Sequence, residues 1–126
     1  MANPNIAAVA AIYGNTTYLT PSGTTAVVLL NNTASSGTVM KINSLIAANV
    51  DGTNAIDTTV SLYSNGAQTQ GNAPSGGTAY PIASTISVPA NASLVVVDKT
   101  TPIYLMEGTS ITVTSGTASG ITYSTM

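Results

Sequence analysis

Charge is what this sequence has least of. Of 126 residues only Lys41, Lys99, Asp51, Asp57, Asp98 and Glu107 are ionic, 5% of the chain, where an ordinary soluble domain carries about a quarter. There is no histidine, cysteine, tryptophan or phenylalanine, and both basic residues are lysines, so there is no arginine either. Each absence removes a class of function. Two lysines far apart in sequence cannot neutralise a run of phosphates, which excludes nucleic acid as a partner. The same shortage excludes an electrostatic membrane anchor, and no apolar run approaches the ~20 residues of a membrane-spanning helix. Without histidine and cysteine there is no Ser–His triad, no cysteine nucleophile and no zinc site of the usual kind. Without cysteine no disulfide staples the fold, so it has to be held by its core or by its neighbours.

Apolar residues make up 44% of the chain, enough to exclude disorder through low hydrophobicity. With Trp and Phe missing, the core has to be built from Val, Ile, Leu, Ala and six Tyr. The polar surface has to be Thr, Ser, Asn and Gly. Such a surface has little of the self-repulsion that keeps soluble proteins apart, which suits a subunit packed in an assembly; a secreted domain with a hydroxyl-rich surface is the alternative. The run Ile6–Tyr13 looks like the apolar part of a signal peptide, but no positive residue precedes it. It reads as a strand of small residues in a protein made in the cytoplasm.

The hydrophobic period is two almost everywhere. Val39 to Ile46, Thr58 to Ser64, Ser110 to Ser115 and Gly120 to Thr125 alternate apolar with polar residues, the pattern of strands with one buried face. Ala26–Leu30 and Leu94–Val97 are apolar on both faces. They read as central strands, or as strands whose outer face meets another subunit. Turn signals recur about every eight to twelve residues, among them Pro21-Ser-Gly23, Asp51-Gly52, Asn65-Gly66, Pro89-Ala-Asn91 and Glu107-Gly108, and Asp-Gly and Asn-Gly are expected to supply positive φ angles. Met40–Val50 and Ala55–Ser64 read as one long hairpin through the turn at Asp51–Asn54. The fold expected is a single all-β domain over residues 1–126, an antiparallel β-sandwich, jelly-roll-like or Ig-like, of 8–9 strands with no substantial helix. Met1–Asn5 reads as an N-terminal arm, and residues 65–77, rich in Gly, Gln, Asn and Ser, as an exposed loop.

Few residues are left to carry chemistry. A Ser–Lys pair would need Lys41 or Lys99 as a buried base, and Lys41 sits in an ordinary strand pattern. A glycosidase pair would have to come from Asp51, Asp57, Asp98 and Glu107, but Asp51 and Glu107 each precede a glycine and read as turn residues. Calcium has a weak candidate in Asp51, Asn54 and Asp57, with no EF-hand pattern. Sugar stacking would need exposed tyrosines among Tyr13, Tyr18, Tyr63, Tyr80, Tyr104 and Tyr123. Asn15-Thr-Thr, Asn31-Asn-Thr and Asn91-Ala-Ser fit the glycosylation pattern, as chance allows in a chain so rich in these residues. The reading is of a non-enzyme with no catalytic residue, no metal and no cofactor.

Four stretches carry a resemblance: Ile46-Ala-Ala-Asn-Val-Asp-Gly52, Thr59-Val-Ser-Leu-Tyr63, Ile86-Ser-Val-Pro-Ala-Asn-Ala-Ser-Leu-Val95 and Pro102-Ile-Tyr-Leu-Met-Glu-Gly-Thr-Ser-Ile-Thr-Val-Thr-Ser115. With the opening Ile12-Tyr-Gly-Asn-Thr-Thr-Tyr18, they are similar to small virion structural proteins of tailed bacteriophages, particularly those of marine cyanobacterial phages. These are strand and turn motifs. The resemblance implies a β-sandwich subunit on the virion, assembled in the host cytoplasm. Its expected role is that of a capsid decoration or cement protein, trimeric, bound in many copies to the major capsid protein or another virion protein. A neck, tail or fibre-base protein is the first alternative, a carbohydrate-binding module or adhesin domain the second.

Overall fold

The computed structural model describes residues 16–98, 100 and 103–125; the arm at Met1–Asn5, the run Ile6–Tyr13, Asn15, Lys99 and Pro102 lie outside them. Ten strands follow one another: β1 (Thr17–Leu19), β2 (Val27–Asn32), β3 (Met40–Ile42), β4 (Leu45–Asn49), β5 (Ile56–Tyr63), β6 (Ala79–Val88), β7 (Ser93–Val97), β8 (Ile103–Leu105), β9 (Thr109–Ser115) and β10 (Ile121–Thr125). No helix occurs among the described residues.

The pairing has a simple rule. β1 pairs with β10, β2 with β9, β3 with β8, β4 with β7 and β5 with β6, all antiparallel. The chain is therefore one long hairpin whose tip is the β5–β6 connection. The hairpin is rolled so that β10 also meets β4 and β9 also meets β5, giving the sheets β1-β10-β4-β7 and β2-β9-β5-β6 and a two-stranded ribbon β3-β8. This is the winding of a jelly roll.

The core lies between the two larger sheets and is almost wholly aliphatic. On one inner face the register aligns Val27, Val113, Val60 and Ala83, and next to them Leu30, Ile111 and Leu62. The other sheet answers with Leu19, Tyr123, Ala47 and Leu94. Leu29, Leu45, Val60, Ile111, Val113, Ile121 and Tyr123 are fully excluded from solvent. Polar contacts join the two sheets at Asn49, whose Nδ2 on β4 donates to the Val88 carbonyl on β6 at 2.9 Å, and at Tyr123. The Tyr123 hydroxyl on β10 donates to the Thr114 carbonyl on β9 at 2.8 Å and accepts from the Thr58 hydroxyl on β5. Burial raises the Tyr123 pKa, against the opposing effect of the Thr58 hydrogen bond.

Several expectations are corrected. Ten strands replace eight or nine, because the three-residue β3 and β8 are too short to show a period. The alternation from Val39 to Ile46 is broken at Asn43–Ser44, where the chain leaves the ribbon for the larger sheet. Residues 40–64 are not a hairpin, since β4 and β5 lie in different sheets and the turn at Asp51–Asn54 is an arch between layers. The two fully apolar runs are not central strands: β2 and β7 stand at sheet edges. The strand buried on both faces is β9, from Ser110 to Val113, because β2 and β5 flank it and a connection covers it from outside.

Gly52 and Gly66 do not adopt positive φ; Gly37, Gly71, Gly76 and Gly108 do. Gly66 is needed for space instead. A Cβ there would lie 2.1 Å from the Asn32 carbonyl oxygen, a backbone atom that cannot swing away. Gly66→Ala is expected to lower stability by at least about 2 kcal/mol through overpacking, whereas Gly23→Ala, with nothing within 4 Å of the new methyl, is expected to leave it unchanged; chemical denaturation of the two variants checks this. Tyr123→Phe removes the bonds to the Thr114 carbonyl and the Thr58 hydroxyl, which leaves these two to meet each other, and is expected to cost about 1 kcal/mol in the same measurement. The raised pKa adds a pH signature. Neutral tyrosine is favoured by the fold, so stability is fully present below the ordinary value of 10.0 and falls as pH rises past it; Tyr123→Phe should remove that part of the alkaline loss.

Candidate interaction surface

Three of the carboxylates singled out for chemistry accept backbone amides. Asp51 Oδ1 accepts the Thr53 amide at 2.8 Å and the Asn54 amide at 3.2 Å, and Asn54 Nδ2 reaches Oδ2 at 3.5 Å. These backbone donors hold the Asp51 carboxyl below its ordinary value of 3.8. Asp57 stands exposed on β5, its carbonyl accepting the Gly116 amide at 2.9 Å. Glu107 Oε2 accepts the Gly37 amide at 2.9 Å, and Asp98 Oδ1 accepts the Thr100 amide at 2.9 Å. Among the described residues no group of three acidic, histidine or cysteine side chains is placed to hold a metal ion. Lys41 is exposed on the β3-β8 ribbon opposite Tyr104.

Among the described residues the exposed tyrosines form no platform. Tyr18, Tyr80 and Tyr104 are the exposed ones there, and they sit on β1, β6 and β8, in three different sheets; Tyr13 lies outside the described residues. Tyr63 and Tyr123 are buried.

The two buried asparagines hold loops, and use their full hydrogen-bonding capacity to do so. Asn32 Nδ2 donates to the carbonyls of Thr38 at 3.0 Å and Leu105 at 2.9 Å, while its Oδ1 accepts from the Ser36 hydroxyl at 2.5 Å. Asn49 Nδ2 donates to the carbonyls of Asn54 at 3.0 Å and Val88 at 2.9 Å, while its Oδ1 accepts the Asp51 amide at 2.8 Å. Polar side chains buried in this way stabilise only when every donor and acceptor is met.

What distinguishes the molecule is the inequality of its two outer faces. Outside the β2-β9-β5-β6 sheet the register aligns Val28, Thr112 and Ser61 in one row and Asn31, Ser110 and Tyr63 in the next. Val28, Thr112, Ser61, Ser110 and Tyr63 are buried, covered by residues 64–78, the β5–β6 connection. The Ser110 hydroxyl donates to the Asn65 carbonyl, and the Tyr63 hydroxyl accepts the Gly77 amide at 3.0 Å. The outer face of β1-β10-β4-β7 has no such cover among the described residues. Its register aligns Tyr18, Ser124, Ile46 and Val95 across all four strands, with Tyr18 72% and Val95 55% exposed. The neighbouring row is Thr122, Ala48 and Ser93, extended by Thr20, whose hydroxyl meets that of Thr122 at 2.8 Å. No residue of these four strands is charged. An open four-stranded face of apolar and hydroxyl side chains is what an uncharged partner surface can cover without stranding an ion.

The sequence marked one strand of this face, Leu94–Val97, as apolar on both sides; the other members lie on strands separated by up to about a hundred residues, and only the register brings them into rows.

The Asp51 turn yields a sign for pH dependence. Its carboxyl is lowered in the fold, so its support of the turn is present above pH 3.8 and is lost as pH falls through the folded value. Carbon-detected NMR titration should place the Asp51 midpoint below 3.8, and Asp51→Ala should loosen the amides of Thr53 and Asn54 in hydrogen exchange at neutral pH while leaving the core amides protected. Compared with known proteins, the chain matches no protein-family model, no curated protein and no solved structure.

Proposed function

We propose that this chain is a structural subunit of a tailed-bacteriophage virion, a capsid decoration or cement protein that attaches through the outer face of its β1-β10-β4-β7 sheet. The observation that carries the reading is the open, charge-free face itself, in a molecule with six ionic groups. A catalyst needs groups that move protons or electrons, and three of the four carboxylates here, Asp51, Asp98 and Glu107, accept backbone amides. A subunit bound in many copies needs a surface that loses little on desolvation, and hydroxyls beside aliphatic side chains meet that need. The resemblance of the strand and turn motifs to phage virion proteins supports the same reading. The partners proposed are the major capsid protein or another virion protein, together with further copies of this chain as a trimer; the place of action is the virion, after assembly in the host cytoplasm. A neck, tail or fibre-base position differs in copy number, a dozen or so per particle against hundreds. The dispersal of Tyr18, Tyr80 and Tyr104 over three sheets gives the carbohydrate-binding alternative no support.

The test places a charge on the face. Val95→Lys puts an ammonium on an exposed strand position, so folding should be retained. An unpaired charge in a desolvated contact is expected to weaken attachment at least about tenfold, roughly 1.4 kcal/mol. Ser22→Lys, on an exposed loop, is the control. Occupancy on purified particles, measured by quantitative gel densitometry, should fall for Val95→Lys only. Equal occupancy for both variants would remove the face from the proposal, and failure of the wild-type chain to bind particles would remove the virion role.

A further inference from the structure

Sheets that end in unpaired strands are templates for association, and proteins with few charges cannot guard those edges with lysine. Among the described residues the edge strands are β1, β7, β2 and β6. β6 is guarded by its own irregularities. Its ten residues stand against eight of β5, with register shifts on both sides of Val60, and Thr85 takes a positive φ of 52°. Pro81, opposite Ser61, has no N–H to offer a further strand.

β2 has no proline, no charge and six residues of strong strand formers and amides. It is guarded from outside. Residues 64–78 run from the end of β5 across the outer face of β9 and β2 to the edge, where the Gly71 amide donates to the Val28 carbonyl at 2.8 Å and the Val28 amide donates to the Asn72 carbonyl at 2.9 Å. This reciprocal pair is one rung of a strand ladder. The segment then ties the two sheets together, since Gln70 Nε2 donates to the Tyr18 carbonyl of β1 at 3.2 Å. Its shape is set internally. Gln68 exchanges hydrogen bonds with the Ser75 backbone at 2.7 and 3.2 Å, Asn65 Nδ2 donates to the Ser75 carbonyl at 3.1 Å, and Gly71 and Gly76 take positive φ. Most of its side chains are exposed, so it buries little of itself; what it covers is the sheet.

We propose that residues 64–78 are a strap that blocks the β2 edge, and that the strap is what prevents two copies of this chain from joining their β2-β9-β5-β6 sheets. With the strap displaced, β2 pairs antiparallel with β2 of a second copy about a twofold axis. That contact closes on itself, because the guarded β6 edge at the far side of the sheet stops further growth. The strap thereby leaves the opposite, open face as the surface for assembly. This does not depend on what that face binds.

The decisive variant is Gly71→Pro. Proline has no N–H for the Val28 carbonyl and cannot take the φ of 86° found there. A second variant, Gln70→Ala with Asn72→Pro, removes the tie to Tyr18 and the bond from the Asn72 amide to the Thr69 carbonyl that shapes the strap beside the rung. Light scattering across a concentration series should show a mass twice that of the wild-type species for either variant, with far-UV circular dichroism and a cooperative melt retained. Val28 amide exchange in the wild-type protein should be slow. Folded variants that keep the wild-type mass would overturn the proposal. So would a Val28 amide that exchanges freely in the wild-type protein, a measurement that stands whether or not the variants fold.

Discussion

The Tyr123 hydroxyl, donated across the sandwich to the Thr114 carbonyl and met by the Thr58 hydroxyl, joins strands of the two sheets in a layer filled mainly by aliphatic side chains. Everything around it follows from the same constraint: polar groups in this molecule have to be satisfied by hydroxyls, amides and backbone, because ions are scarce. Asn32 and Asn49 each hold two loop carbonyls. Asp51, Asp98 and Glu107 each accept backbone amides. In a domain richer in charge, such loops are commonly held by surface ion pairs, which contribute about 0–1 kcal/mol each and weaken with salt. Bonds to neutral backbone donors are far less sensitive to ionic strength.

The nested pairing explains where the surfaces fall. A hairpin rolled into two sheets places its ends, β1 and β10, in one layer and its tip, β5 and β6, in the other. The tip connection is therefore the segment able to fold back over the outside of its own sheet, and residues 64–78 do so. No comparable segment among the described residues crosses the other sheet. One face is thus covered by the chain and the other is open among the described residues, and this inequality is the physical basis for the function proposed above.

Three of the four edges among the described residues are handled by different devices. β1 is three residues long, β6 carries Pro81 and two register shifts, and β2 is bridged by Gly71 and Asn72. None of these devices uses charge, in keeping with a chain that has two lysines and no arginine.

The sequence by itself determined the class of the fold and the chemistry it excludes. Alternation at Gly120–Thr125 marked Ile121 and Tyr123 as inward residues, and the lack of histidine, cysteine and arginine removed whole mechanisms, because both are properties of residue type and local spacing. Tertiary structure alone decided which strands are neighbours. Asp51-Gly52 looked like a hairpin turn and is an arch between sheets; Ala26–Leu30 looked central and includes an edge strand under a strap; Gly66 looked like a turn residue and is a contact point against Asn32. In each case the deciding contact joins residues distant in sequence, and a local pattern of two-residue period is the same whether the next strand lies beside it or across the core.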